Sequence, residues 1–255
     1  MKSRLTALIA GLGLAGSLLV VSTGAATAVT TPAGPAGKTV CTTQAGAART
    51  TPTVESLRAF GDCEINRRFT TLTDLSARIT ASKVMTSAHK STLQSEIAST
   101  RSGLTALKAT IDSETVIAAL KADIVKIATD YRVYVLVVPQ VHLVNGADGV
   151  LAAQSKFADI NTRLSARIAA AKAAGKNTTA AQASLDAMNA AVTKAVALAT
   201  PLPAALLPLT PAQYNGGTAG PILAGARTAL GQARDQLKAA VAAAAACRAA
   251  LNALK

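Results

Sequence analysis

Aromatic residues are nearly missing from this chain, with three Phe, three Tyr and no Trp among 255 residues. Sandwiches, barrels and doubly wound sheets draw strand propensity and core volume from aromatic and β-branched side chains, so that scarcity argues against them. Acids are scarce too, 13 Asp plus Glu against 26 Lys plus Arg, for a net charge of +13. Only two histidines occur, His89 and His142, and neither has a carboxylate or Cys at the spacing of a helical metal site. They read as residues of a surface turn and a helix start. No acid interrupts an apolar stripe, so the desolvated carboxylate pairs of acid–base chemistry are not expected. Basic residues stand singly, with only Arg67 and Arg68 adjacent, and stacking partners are lacking, which argues against nucleic acid. The expectation is a chain with no enzymatic activity, no cofactor and no metal.

What is present is apolar and small. Half of the residues are hydrophobic, which excludes wholesale disorder, and Ala makes up about a quarter of the chain. The first residues read as an export signal: Lys2 and Arg4, an uncharged run from Leu5 to Ser22, then Ala26-Thr27-Ala28. This predicts a signal peptide over 1–28 with cleavage after Ala28, a secreted or envelope-associated product, and no transmembrane span after processing. The mature charge falls from +13 to +11 because Lys2 and Arg4 are lost. In an oxidising compartment one disulfide can form among Cys41, Cys63 and Cys247, by any of three pairings.

Residues 29–53, rich in Thr, Ala, Gly and Pro, read as a flexible linker ahead of a helical domain over 54–255. Within it, Ile65, Phe69, Leu72, Leu75 and Ile79 share a helical face, as do Leu93, Ile97, Leu104, Leu107 and Ile111. The apolar phase slips near Asp112–Glu114 and resumes as Ile117, Leu120, Ile124, Ile127, Tyr131 and Tyr134, giving a first hairpin over 62–134. If 91–134 were one helix it would be a rod of roughly 65 Å. The β-branched run before Pro139 reads as a short extended or kinked corner. A second hairpin spans 140–199, with Phe157, Ile160, Leu164 and Ile168 facing Leu185, Met188, Val192 and Val196. A Pro/Gly-rich connection, 200–220, is long enough to let the last helix run either way.

The last helix, 221–254, carries a seam with spacings of three and four: Leu223, Ala226, Leu230, Ala233, Leu237, Ala240, Ala244, Cys247, Leu251 and Leu254. Arg227, Arg234 and Arg248 follow small seam residues, Lys255 follows Leu254 at the same register position, and the four form a basic line beside the seam that only Val241 interrupts. Residues 151–255 hold eleven Lys plus Arg against three acids, whereas 29–150 hold thirteen against ten. Those cations either pair with acids such as Glu96, Asp123 and Asp130, lie in solvent, or meet an anionic polymer. The fold expected is all-α, an elongated antiparallel bundle of about five helices with coiled-coil character.

The run Asp130-Tyr131-Arg132-Val133-Tyr134-Val135-Leu136-Val137-Val138-Pro139-Gln140-Val141-His142-Leu143, with Leu209-Thr210-Pro211-Ala212-Gln213-Tyr214-Asn215 further on, resembles a group of uncharacterised exported helical proteins of high-GC Gram-positive bacteria. The resemblance implies an exported or envelope-associated helical protein and carries no activity. The functional expectation is a structural or protein-interaction role, with a protein partner or a second copy engaging a helical seam. The alternative is a module that binds an anionic cell-wall polymer through its basic C-terminal face.

Overall fold

The computed structural model describes residues 41–254, and among them there is no strand. The signal-peptide residues, the cleavage position after Ala28, and Lys255 lie outside the described residues. The first helix, α1 (Thr42–Thr50), falls inside the stretch read as linker. Nine residues with little apolar periodicity make a marginal helix alone. Here Cys41 is bonded to Cys63, and Cys41 and Ala48 are buried, so α1 is fastened to its neighbour by a covalent link that periodicity does not reveal.

That neighbour, α2 (Val54–Ala81), begins at Thr53 rather than near Asp62. The Thr53 hydroxyl accepts from the Ser56 amide at 3.1 Å and the Ser56 hydroxyl accepts from the Thr53 amide at 2.9 Å, which satisfies two donors at the helix start. Helix α3 (Ser87–Ser113) lies antiparallel to it, aligned by the Ser76–Gln94 and Lys108–Asp62 hydrogen bonds. The five α3 residues assigned to the core are all buried, as are Ile65, Leu72, Leu75 and Ile79 of α2; Phe69 is half-buried under the Arg101 guanidinium.

The phase slip is a reversal, so 91–134 is not one rod. Glu114 Oε1 accepts from the Thr115 and Val116 amides, while Arg58 donates to the carbonyls of Ile111 and Glu114. These bonds hold a tight turn, after which α4 (Ile117–Thr129) packs back on α2 and α3. Its buried residues are Leu120, Asp123 and Ile127, while Ile117 is exposed and Ile124 half-buried, so the inward face is rotated from the expected one.

The corner before Pro139 is helical rather than extended, with Leu136 and Val137 buried and Val135 exposed. Arg132 takes a left-handed φ of 45°, ending the preceding turn, and Val133–Val137 forms a π-helical turn that runs into α5 (Val138–Ala173). Pro139 follows directly on the π-helical turn, whose Val138 amide still bonds the Val133 carbonyl; having no N–H, Pro139 itself donates nothing to that turn. At ~1.5 Å per residue the 36 residues of α5 extend about 54 Å. Its first turns pack on α2 and on the α2–α3 turn; the remainder packs on α6 (Thr179–Ala199) and α9 (Ala219–Ala253). An 18-residue window within 117–173 reaches a mean hydropathy of 1.3, and half of it is buried inside the fold.

The connection read as irregular contains two short helices, α7 (Leu202–Leu206) and α8 (Pro211–Asn215), each with Pro in its first turn. Leu202, Pro203, Leu206 and Leu209 are buried, so this segment is laid along the bundle. It returns the chain to the level of Thr129 and Arg132, both bonded to Asn215, before α9 begins. Consequently α9 runs parallel to α5: Leu230 and Arg234 lie against Gly146, and Asn252 accepts from Arg167, an equal advance along both helices. It runs antiparallel to α6. The α9 seam from Leu223 to Leu251 is buried within the chain, much of it against the small face of α6 formed by Ala181, Ala191, Ala195 and Ala199.

Candidate functional site

Charge is distributed differently in the two halves. On α2 and α3, Lys108 bonds both Asp62 and Asp112, and Glu64 accepts from Arg67 at 2.7 Å and Arg68 at 2.5 Å. The two guanidinium groups also face the Tyr134 ring, 4.8 and 5.1 Å from its centroid. Arg68 is buried, so this adjacent pair, the densest basic spot in the sequence, is turned inward and is not part of an exposed basic surface. Arg67 Nε, Arg68 Nε and Tyr134 Oη are buried without a hydrogen-bond partner among the described residues.

The acids named as partners for the C-terminal cations are occupied elsewhere or alone. Asp123 pairs with Lys126 one turn on at 2.8 Å, and Asp130 accepts from Thr129. Glu96 has no ion pair among the described residues, and burial pushes its carboxyl up to about 7. From residue 151 onward, the ion pair among the described residues is Lys238–Asp235, both exposed. Arg227 and Arg234 are exposed and Arg248 is half-buried, none in an ion pair among the described residues. Arg227 and Arg234 are seven residues apart, ~10 Å along the axis, Arg234 and Arg248 are fourteen apart, ~21 Å, with Val241 between them, and the line from Arg227 to Arg248 covers roughly 31 Å. Lys156, Arg163, Lys172 and Lys194 on α5 and α6 are also exposed. Among the described residues of the line, Arg227 and Arg234 therefore lie at the surface without an ion-pair partner.

The cysteines resolve into Cys41–Cys63 and a buried free Cys247. Burial raises the Cys247 thiol above its ordinary range, with nearby Arg167 acting in the opposite direction. His142 is exposed at the start of α5, as read from the sequence, whereas His89 is engaged. His89 Nδ1 lies 2.8 Å from the Asp148 carboxylate, which also accepts from the Thr86 amide at 3.1 Å. Asp148 is buried, so this contact fastens the α2–α3 turn to α5. Its partners are 59 residues apart and carry no helical spacing. The stripe test missed both buried acids because Asp123 and Asp148 occupy inward positions on helices whose rotation was set by packing.

The two segments that carried the resemblance meet in space. Arg132 Nε donates to Asn215 Oδ1 at 2.6 Å, Asn215 Nδ2 donates to the Thr129 carbonyl at 2.9 Å, and the Arg132 guanidinium lies 5.1 Å from the Tyr214 ring centroid. Gln140, fully buried, donates to the Leu206 carbonyl at 2.7 Å. This joint ends α4 and seats the α7–α8 segment. Among the described residues no group of three or more His, Cys, Asp or Glu is placed to hold a metal ion. Comparison with protein-family models, curated protein sequences and solved structures gave no match, so the reading rests on this geometry.

Proposed function

We propose that this protein is a secreted or envelope-associated structural or protein-interaction module that acts by binding. The observation that supports this reading is the use of its polar groups: His89–Asp148, Arg132–Asn215 and Gln140–Leu206 each tie one helical element to another. A frame braced in this way holds exposed faces in fixed relation. The test follows the full-length chain in its host. A mature protein beginning at Val29 and recovered from the envelope or medium agrees with the proposal; a mass retaining residues 1–28 with recovery from the cytoplasm contradicts it.

A second reading is favoured by the unpaired cations of α5, α6 and α9: an anionic cell-wall polymer lies along the α9 line. Cations about 10 and 21 Å apart along one helix suit a polymer with repeated negative charge, and attraction among exposed groups is screened within ~8–10 Å at ordinary salt. Retention on immobilised polyphosphate should fall steeply between 50 and 500 mM salt, and the triple variant R227Q/R234Q/R248Q should elute markedly earlier. Equal elution of parent and variant removes this reading and leaves the first.

A further inference from the structure

A cleft of about 380 Å³ opens between the end of α2, the α2–α3 turn and the start of α5. Volumes of this size fall in the range of small-molecule sites. Its polar lining includes Arg78, Lys83, His142 and Asn145, and no acid lines it. Arg78 and Lys83 are exposed and form no ion pair among the described residues. The Ser82 hydroxyl donates to Asn145 Oδ1 at 2.6 Å, which fixes the amide and leaves Asn145 Nδ2 as its donor. Carbonyls at the end of α2 would oppose an anion here, but they are engaged. Arg78 and Ile79 accept from the Ser82 amide, and Lys90 Nζ donates to the carbonyls of Thr80 and Ser82. His142 is exposed at the cleft edge, and partial desolvation there, then the charge of Arg78, hold it below its ordinary value. The nearest buried acid, Asp148, is already engaged by His89 and Thr86.

The remaining wall is apolar: Ile79, Met85 and Val141 are buried residues whose edges reach the cleft, and Val84 stands exposed at its rim. Cationic and neutral donors on one side and an apolar wall on the other match one kind of ligand. We propose that this cleft binds an amphiphilic anion, a phosphate or carboxylate head on a short apolar body, with Arg78, Lys83 and Asn145 holding the head. No residue of the basic line on α9 is in the cleft's lining.

Calorimetric titration of the full mature chain with octyl phosphate, inorganic phosphate and octyl glucoside tests the assignment. Octyl phosphate should bind saturably at one site, at least tenfold more tightly than either of the others. R78Q/K83Q should weaken it at least tenfold with an unchanged melting temperature, whereas R227Q/R248Q should leave it unchanged. Equal binding of the glucoside, equal binding of inorganic phosphate, no saturable binding, or indifference to R78Q/K83Q would each overturn the proposal. Phosphatidylglycerol vesicles separate the sources: competition with octyl phosphate that is lost in R78Q/K83Q assigns a lipid head, and its absence assigns a free solute.

Discussion

Glu96 shows how one side chain can govern the response of this fold to pH. It sits next to Ile97 on α3, largely removed from water and without an opposite charge to compensate, so its carboxyl is raised from the ordinary 4.5 to about 7. Between those values the folded chain retains a proton that the unfolded chain has released. Stability therefore falls as pH rises from about 4.5 to about 7, and a shift of this size corresponds to roughly 3 kcal/mol. Urea midpoints at pH 5 and pH 8 should show the parent losing stability across that interval and Glu96→Gln losing much less. A variant that falls as steeply as the parent contradicts this origin. Cys247 provides a second test at this scale. It is buried and its thiol is raised, so a maleimide should label it only in denaturant; rapid labelling of the native chain would refute its burial.

At the scale of the element, the joint between 129–140 and 206–215 decides where α4 stops and where α9 starts. Removing the Asn215 side chain forfeits its bonds to Arg132 and to the Thr129 carbonyl. Asn215→Ala should cost about 1–2 kcal/mol, since hydrogen bonds to charged groups exceed the ordinary ~1. A double-mutant cycle with Arg132→Ala should show coupling, because the two residues share one bond; additive effects would mean that the joint bears no load. The disulfide acts on another element. It closes a separation of 22 residues, for which chain entropy corresponds to about 3 kcal/mol. Cys41→Ala should lower the denaturation midpoint accordingly and remove hydrogen-exchange protection from α1 before that of α2. Retained protection in α1 would mean that packing alone holds it.

Across the whole described region, α5 serves both groups of helices, and its contacts explain what sequence could and could not reveal. The five inward residues of α3 were legible because a 27-residue amphipathic helix repeats its face many times over. The α9 seam was legible for the same reason, and its alternation of Leu with small residues signalled close packing. Close approach is visible at Gly146, where a Cβ would stand 2.5 Å from Leu230 Cδ2, closer than side chains pack. Short elements fared differently. The 13-residue α4 has few turns to average over, so its rotation, and the burial of Asp123, followed from its neighbours. Pairs such as His89–Asp148 and Arg132–Asn215 join positions 59 and 83 residues apart, a relation that no local pattern encodes.

By itself the sequence determined the helical class, the long apolar faces, the surplus of positive charge and its concentration after residue 150, because those depend on composition and on a period that each helix carries within itself. Only the tertiary structure decided which cysteines join, that the chain turns back at Glu114, that α9 runs parallel to α5, and that Arg67 and Arg68 face inward while Arg227 and Arg234 face solvent. These are relations between distant segments. They are settled by which surfaces exclude water together and which polar groups find partners there, and a single stretch of chain holds only half of each.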